Sequence, residues 1–148
     1  MPLTKPRIEF KIILCDAAQA DSASGKLHML GAGWTMIGTP TSPHAVALMV
    51  QVPWDRANEK LPVLIELLDS DGRSVEIPGE GEAQLIRGEA VLEVGRPPGV
   101  SHGSPLSAVF ALNVAPLPLP PGRYEWRASV AGDTAAESFQ VIGHQLAP

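Results

Sequence analysis

The chain of 148 residues is long enough for one domain with a sizeable core, and its formal net charge is −5 at pH 7. Its lysines and arginines are scattered singly, so no cationic cluster is present to bind a nucleic-acid backbone or an anionic membrane surface. No run of about 18 apolar residues occurs, so no membrane-spanning helix is predicted. We therefore predict a single domain over residues 1–148 that contacts neither nucleic acid nor membrane.

The cellular compartment is indicated by the single cysteine, Cys15, which cannot form a disulfide within the chain. The first seven residues include basic side chains but lack the apolar segment of a secretory signal. A core of this size is stable without disulfides, and a free cysteine fits a reducing environment. We expect a cytoplasmic location.

The amino-terminal third of the chain predicts three strands. Residues 8–14 alternate apolar and charged side chains, and a connecting loop follows them. Residues 26–38 predict a second strand that is kinked at Gly31 and Gly33. Residues 44–52 predict a third strand, and both of its faces are apolar.

The middle of the chain predicts a short helical turn and three further strands. Residues 54–60 are the only segment with helical character, and Asp55 is a candidate N-cap. The predicted strands 62–69 and 73–78 flank an Asp-Ser-Asp-Gly sequence, which predicts a hairpin turn. Residues 83–94 predict the next strand.

The carboxyl-terminal third predicts strands over residues 106–114, 123–130 and 136–142. Before the second of these, a Pro-Gly turn is followed by Tyr124 and then by strictly alternating residues. This order resembles the tyrosine corner of immunoglobulin-like domains. Eight or nine strands without intervening helices favour an all-β fold, and we predict an antiparallel, immunoglobulin-like β-sandwich.

Two sets of residues are candidates for a ligand site. Asp16, Gln19 and Asp21 lie close together in the sequence, where their oxygens could bind a cation or satisfy the amides of a loop. Trp34 and Trp54 fall at predicted strand ends, where they could close the core or form a stacking platform for a sugar. Too few oxygen ligands are present for a calcium loop, so no metal ligand is assigned.

No arrangement of residues indicates catalysis. The Gly-Ala-Gly sequence at 31–33 lacks the following helix, the third glycine and the lysine of a phosphate-binding loop. Cys15 needs a neighbouring histidine to act as a nucleophile, and the four histidines lie far apart in the sequence. We therefore predict a non-enzymatic protein and assign no catalytic, cofactor-binding or metal-binding residue.

The apolar character of both faces of strand 44–52 indicates that both faces are covered. The residues on its second face, and on the matching face of the next strand, are Ala45, Ala47, Met49, Leu64 and Leu68. Either the chain's own loops or another polypeptide covers them, and both alternatives stay open. In the second case the protein is a homodimer or binds another protein.

Four short motifs carry a resemblance to a known group of proteins. They are D-A-A-Q at 16–19, G-K-L at 25–27, L-G-A-G-W at 30–34 and V-P-W at 52–54. This pattern resembles a family of small, mostly actinobacterial proteins of unknown function, in which glycine often stands where this chain has Ala32. The resemblance implies a bacterial origin but no activity, cofactor or ligand.

These observations favour a non-enzymatic protein-interaction or assembly module that associates with itself or with another protein. Two alternatives stay open. One is a small-ligand or carbohydrate-binding sandwich that uses Trp34 and Trp54, and the other is a metal-dependent enzyme at Asp16 and Asp21. Because β-sandwiches host all three kinds of function, the fold class does not choose among them.

Overall fold

The computed structural model describes residues 6–79, 81 and 83–143, and their regular structure is β-strand apart from one 3₁₀ turn. The strands are β1 (Glu9–Cys15), β2 (Ala17–Asp21), β3 (Lys26–Leu30), β4 (Met36–Ile37), β5 (His44–Val52), β6 (Leu61–Asp69), β7 (Glu76–Ile77), β8 (Gln84–Leu85), β9 (Arg87–Leu92), β10 (Leu106–Val114), β11 (Gly122–Val130) and β12 (Asp133–Val141). The predicted all-β class is confirmed. No helix in these ranges is long and apolar enough to cross a membrane.

Most of the strands belong to two sheets that share one core. One sheet has the order β1-β5-β10, and the other has the order β4-β12-β11-β6-β9. Their pairs are antiparallel, except that the short β4 pairs with β12 in parallel. Alternate residues of each strand point inward, so Leu48 on β5, Ile65 on β6 and Trp126 on β11 are fully buried together. The predicted antiparallel architecture is therefore confirmed.

The strand order and one hydrogen bond are compatible with an immunoglobulin-like sandwich. Such domains place their first, second and fifth main strands in one sheet and the third, sixth and seventh in the other, as β1-β5-β10 and β6-β11-β12 do here. The Tyr124 hydroxyl donates a 2.7 Å hydrogen bond to the carbonyl of Pro120, in the manner of a tyrosine corner. Trp126 lies two residues further along and is fully buried, while Cys15 stays a free thiol.

The amino-terminal third differs from its prediction in two places. The segment 26–38 divides into β3 and β4, because Gly31 and Gly33 adopt φ angles of +63° and +94° and turn the chain. The predicted loop after Cys15 contains β2, which pairs with β3 as an antiparallel hairpin. A bend at Asp16 separates β1 from β2, so the chain leaves the main sheet at that residue.

The predicted hairpin turn is confirmed, whereas the predicted helix cap is wrong. The carboxylate of Asp69 accepts hydrogen bonds from the backbone amides of Asp71 and Arg73 at 2.9 and 3.0 Å, which closes the turn. The helical segment is only the 3₁₀ turn Trp54–Arg56, which has no side-chain cap. Asp55 lies inside this turn and therefore cannot precede it as a cap.

The predicted strands 73–78 and 83–94 are shorter than expected. They contain β7 and the pair β8 and β9, with Ile86 between the latter two. The Ile86 amide donates to the Val75 carbonyl at 3.4 Å, and the Leu67 amide donates to the Ile86 carbonyl at 3.0 Å. Ile86 thereby connects the β7–β8 pair to β6.

Loss of the tyrosine-corner hydrogen bond should destabilise the fold. We expect Tyr124→Phe to lower the free energy of unfolding by about 1 kcal/mol, because one hydrogen bond of a buried side chain is removed. Urea unfolding at pH 7 measures the change. Thr134→Val, which removes an exposed hydroxyl on the neighbouring strand, is the control. Equal, small effects of both substitutions would contradict the prediction.

Candidate functional site

The outer face of the β1-β5-β10 sheet carries its side chains in four cross-strand rows, because the three strands are in register. In order along the sheet, the rows are Cys15–Ala45–Asn113, Ile13–Ala47–Ala111, Lys11–Met49–Val109 and Glu9–Gln51–Ser107. The first two rows are mostly small or apolar, whereas the last two include charged and amide side chains. The first two rows are therefore suited to burial under another part of the protein, whereas the last two can face solvent.

The β2–β3 hairpin folds back over the first two rows. Leu27 and Met29 of β3 pack with Cys15, Ala45 and Ala47 in a second, small hydrophobic cluster. The cysteine and both alanines are fully buried, and their short side chains allow the hairpin to lie close to the sheet. The chain's own hairpin thus covers Ala45 and Ala47, which were candidates for an interface, and leaves neither exposed to a partner.

One side chain ties the hairpin to the sheet. The Asn113 side-chain oxygen accepts a hydrogen bond from the Ala18 amide at 3.3 Å, and its nitrogen donates to the Ala18 carbonyl at 2.9 Å. The side-chain amide therefore bonds to β2 as the backbone of a neighbouring strand would. Near the base of the hairpin, the Asp16 amide donates to the Leu30 carbonyl at 2.8 Å. Together these bonds fix the position of the hairpin on the sheet.

A groove of about 940 Å³, which we call the hairpin groove, opens between β3 and the two uncovered rows. Its apolar surface comes mainly from Leu27, Met29, Met49 and Val109, and 46% of Met49 is exposed. Its polar surface includes Glu9, Lys11, Lys26, Gln51 and Ser107. This volume lies within the range of ligand-binding sites, so the groove is the candidate functional site.

Two lysines give the hairpin groove an excess of positive charge. Lys11 lies in the Met49 row and Lys26 begins β3, and neither ammonium group forms an ion pair with another described residue. Several arginines elsewhere form ion pairs, as Arg56 does with Glu59 at 2.9 Å. Glu9 is the only carboxylate among the described residues that line the groove. An anionic group could therefore approach Lys11 and Lys26 without displacing an existing partner.

The five residues predicted to form one interface lie on opposite sides of the molecule. Met49 faces the hairpin groove, whereas Leu64 and Leu68 lie on β6 in the other sheet. They alternate with Ile65 and Leu67, which point into the core, so they face the outside of that second sheet. Leu68 is also only 3% exposed. A single surface is not formed, because the consecutive strands β5 and β6 belong to different sheets.

The polar residues predicted as a ligand site are separated by the length of one strand. Asp16 and Asp21 flank β2 at its opposite ends, roughly 16 Å apart at the rise of an extended chain. Gln19 is exposed between them, opposite His28 of β3. The three side chains therefore do not converge on a common ligand.

Both aspartates have local structural contacts. The Asp21 carboxylate accepts hydrogen bonds from the Ser24 hydroxyl at 2.9 Å and from the amides of Ala23 and Ser24, and these bonds lower its pKa. The Asp16 carboxylate lies against Gly31, where any larger side chain would collide with it. Over the described ranges, no three His, Cys, Asp or Glu side chains form a metal-ligand set.

Trp34 closes one end of the core. Its ring meets His44 edge to face with centroids 5.4 Å apart, and it meets Phe139 at 5.6 Å. Burial lowers the pKa of His44, although the Ser42 carbonyl and the charge of Asp16 act in the opposite direction. The partly buried Trp34 ring is therefore part of the packing that closes the core.

Trp54 lies beyond the opposite end of β5 and is also engaged. The Arg96 guanidinium lies 4.4 Å from the ring centroid, and its Nη2 donates to the Trp54 carbonyl at 2.7 Å. The His102 ring lies 5.1 Å away. Since β5 spans roughly 27 Å, Trp34 and Trp54 cannot form one platform.

Cys15 is not positioned as a nucleophile. Its thiol is fully buried beside the carbonyl of Ala45, with sulfur and oxygen 3.7 Å apart. Burial raises the pKa of the thiol, and the charge of Asp16 raises it further. The thiolate that nucleophilic chemistry needs is therefore disfavoured.

Sequence reasoning missed the groove residues of β3. Leu27 and Met29 alternate with Lys26 and His28, which indicates a strand with one buried face. That signal was available, but it does not identify the surface that buries the face. Only the fold shows that the hairpin lies across β5 and leaves Met49 uncovered.

The region that forms both the fold and the groove matches one protein family. The profile of DUF6941, described as a family of unknown function, matches residues 11–141, from within β1 to the end of β12. The chain belongs to this family. In this DUF6941 member the matched region contains every described groove-lining residue except Glu9 and Phe10. No curated protein matches the chain.

Removal of the Asn113 side chain should loosen the hairpin. We expect Asn113→Ala to speed amide hydrogen exchange in β2 and β3 and to lower the free energy of unfolding by about 1 kcal/mol, because two hydrogen bonds to Ala18 are lost. Hydrogen-exchange mass spectrometry measures the first effect and urea unfolding the second. Ser107→Ala, on the same face of β10, is the control. Unchanged exchange of the hairpin in the Asn113 variant would contradict this role.

Burial of His44 should make the fold sensitive to acid. Because the folded protein has the lower pKa, the unfolded chain binds a proton first as the pH falls below about 6.5. The stability contributed by neutral His44 is complete above that pH and declines below it, by at most about 1.4 kcal/mol per pH unit. We expect His44→Phe to remove the contribution of His44 to the pH dependence of the free energy of unfolding. Urea unfolding between pH 7.5 and 5 measures this dependence.

The matched control for His44 is His28→Phe, at an exposed position of β3. In this control the free energy of unfolding should depend on pH as it does in the unsubstituted protein. The same pH dependence in the His44 variant would show that other groups cause the acid sensitivity.

Proposed function

We propose that this DUF6941 member is a non-enzymatic protein-interaction or assembly module and that the hairpin groove is its contact surface. The observation that carries the proposal is the exposed side chain of Met49, which lies between Lys11 and Val109 on the apolar floor of a groove that the unpaired Lys26 also lines. An apolar patch with a polar rim is typical of a surface that another molecule covers. A flexible methionine also adapts its shape to a partner.

Self-association is one form of this proposal, and a second surface outside the groove supports it. Leu85 and Val91 are exposed on β8 and β9, and β9 is an edge strand of the five-stranded sheet. An edge strand presents unpaired backbone groups that a second chain can use. We further propose a cytoplasmic site of action, which the free and buried Cys15 supports.

A small-ligand-binding function is the second candidate, and the volume of the hairpin groove favours it. Such a ligand would contact Met29 and Met49 instead of the two tryptophans, which lie at opposite ends of β5. The metal-dependent enzyme at Asp16 and Asp21 has no comparable support, because β2 separates these carboxylates.

Site-specific crosslinking tests the proposed contact surface. We expect p-benzoylphenylalanine in place of Ser107, an exposed residue of the groove, to crosslink a polypeptide in the native cytoplasm or in purified protein. Met49→Arg in the same chain should reduce the adduct strongly, because it places a charge on the apolar floor. Mass spectrometry of the adduct distinguishes a second copy of the chain from a different protein.

The control places the same photoreactive residue at Gln140, which is exposed on β12 of the other sheet. It should yield no adduct that depends on Met49. Absence of a polypeptide adduct at position 107 would overturn the proposal. A small molecule retained by the unsubstituted protein, but not by the Met49 variant, in native mass spectrometry would favour the second candidate.

A further inference from the structure

The edge of β3 that faces away from β2 borders the hairpin groove. Within the described residues, β3 pairs with β2 only. Leu27 and Met29 point toward the sheet while Lys26 and His28 point away from it, yet all four line the groove, and no residue of β2 does. A cavity that touches both faces of a strand must pass along its edge. The groove therefore gives access to unpaired backbone groups of β3.

The floor beneath this edge suits apolar side chains at alternate positions. Met49 and Val109 are adjacent in one cross-strand row, and Leu27 and Met29 of β3, which pack on the two neighbouring rows, line the same groove. A strand that joined the free edge of β3 would point every second side chain toward this floor. The intervening side chains would point to the solvent side, where Lys26 lies.

The charges beside the edge select an acidic occupant. Lys26 lies on the solvent side of β3, and Lys11 lies on the floor beside Met49, both without an ion pair among the described residues. The opposing charges are Glu9, in the next row of the floor, and Asp21, which lies opposite Lys26 in the hairpin and accepts a hydrogen bond from the Ser24 hydroxyl. Carboxylates on the solvent side of the occupant would lie beside Lys26, whereas ammonium groups there would meet a like charge at close range.

We propose that the hairpin groove binds an extended peptide with alternating apolar and acidic residues, which joins β3 as an additional strand. This inference rests on the proposed function and names the chemistry of the partner. Main-chain hydrogen bonds to β3 supply affinity, the Met49 floor accepts the apolar side chains, and Lys26 on the solvent side selects the acidic ones.

Fluorescence anisotropy with defined peptides tests the inference. The probes are three labelled octapeptides: one alternating Val and Glu, one alternating Val and Lys, and a Val–Glu peptide methylated on alternate backbone nitrogens. We expect the unsubstituted protein to bind only the first. Lys26→Glu should weaken binding of the Val–Glu peptide several-fold and strengthen binding of the Val–Lys peptide.

The matched control is Lys60→Glu, which makes the same change of charge at an exposed residue outside the groove. It should leave the peptide preference unchanged. Failure of the unsubstituted protein to bind the Val–Glu peptide overturns the inference, as does equal binding of the methylated peptide or equal binding by the Lys26→Glu variant.

The crosslinking experiment separates this failure from that of the proposed function. If a polypeptide crosslinks at position 107 in a Met49-dependent manner but the Val–Glu peptide does not bind, the proposed acidic peptide is wrong and the proposed interaction module is retained. Absence of both results would overturn both proposals.

Discussion

The packing of the β2–β3 hairpin on the small side chains of β5 is the contact on which the rest of this structure depends. Ala45 and Ala47 leave enough room for Leu27 and Met29 to approach the sheet, and Cys15 completes the buried cluster. Larger residues in these rows would hold the hairpin away from the sheet, because side chains in a packed interior cannot overlap. The hairpin covers two rows of the outer face, and the groove begins at Met49, where its cover ends.

The same hairpin connects the outer surface to the core. Its two strands leave and rejoin the main body at one place, where the Gly33 amide donates to the Leu14 carbonyl at 2.8 Å. Trp34 follows directly and enters the aromatic packing around His44. A displacement of the hairpin would therefore disturb both the groove and one end of the core. This coupling makes the hairpin a structural element of the fold as well as one wall of the candidate site.

The charged residues that line the groove have the opposite net sign to the chain as a whole. The protein has a formal net charge of −5, yet the groove carries two unpaired lysines and one carboxylate. At physiological ionic strength exposed charges are screened beyond about 8 Å, so an approaching peptide responds mainly to the lysines beside it. The exposed lysines of the groove are therefore compatible with the acidic partner that we propose, although the protein as a whole is acidic. The tryptophans, which are more conspicuous in the sequence, are occupied by His44, Phe139, Arg96 and His102 instead.

Much of the sandwich was predictable because strand periodicity and turn chemistry are local properties. The strands 44–52 and 106–114 have their predicted bounds, and the turn after Asp69 closes as expected. Tyr124 makes the upstream hydrogen bond that its position after a Pro-Gly turn indicated. By contrast, β2 was taken for a loop, since its short alanine-rich sequence has little β-propensity of its own and is held by pairing with β3.

The sequence by itself determined that this chain forms an antiparallel all-β fold, and it predicted that both faces of β5 are covered. The structure covers the second face at Ala45 and Ala47 and leaves Met49 exposed. Only the tertiary structure decided that the chain's own hairpin supplies the second cover, that Leu64 and Leu68 face away from Met49, and that Asp16 and Asp21 are held apart. The physical reason is that hydrophobic periodicity reports which side chains leave water, and not which surface receives them. The receiving surface depends on strand order and register, which bring together residues far apart in the chain.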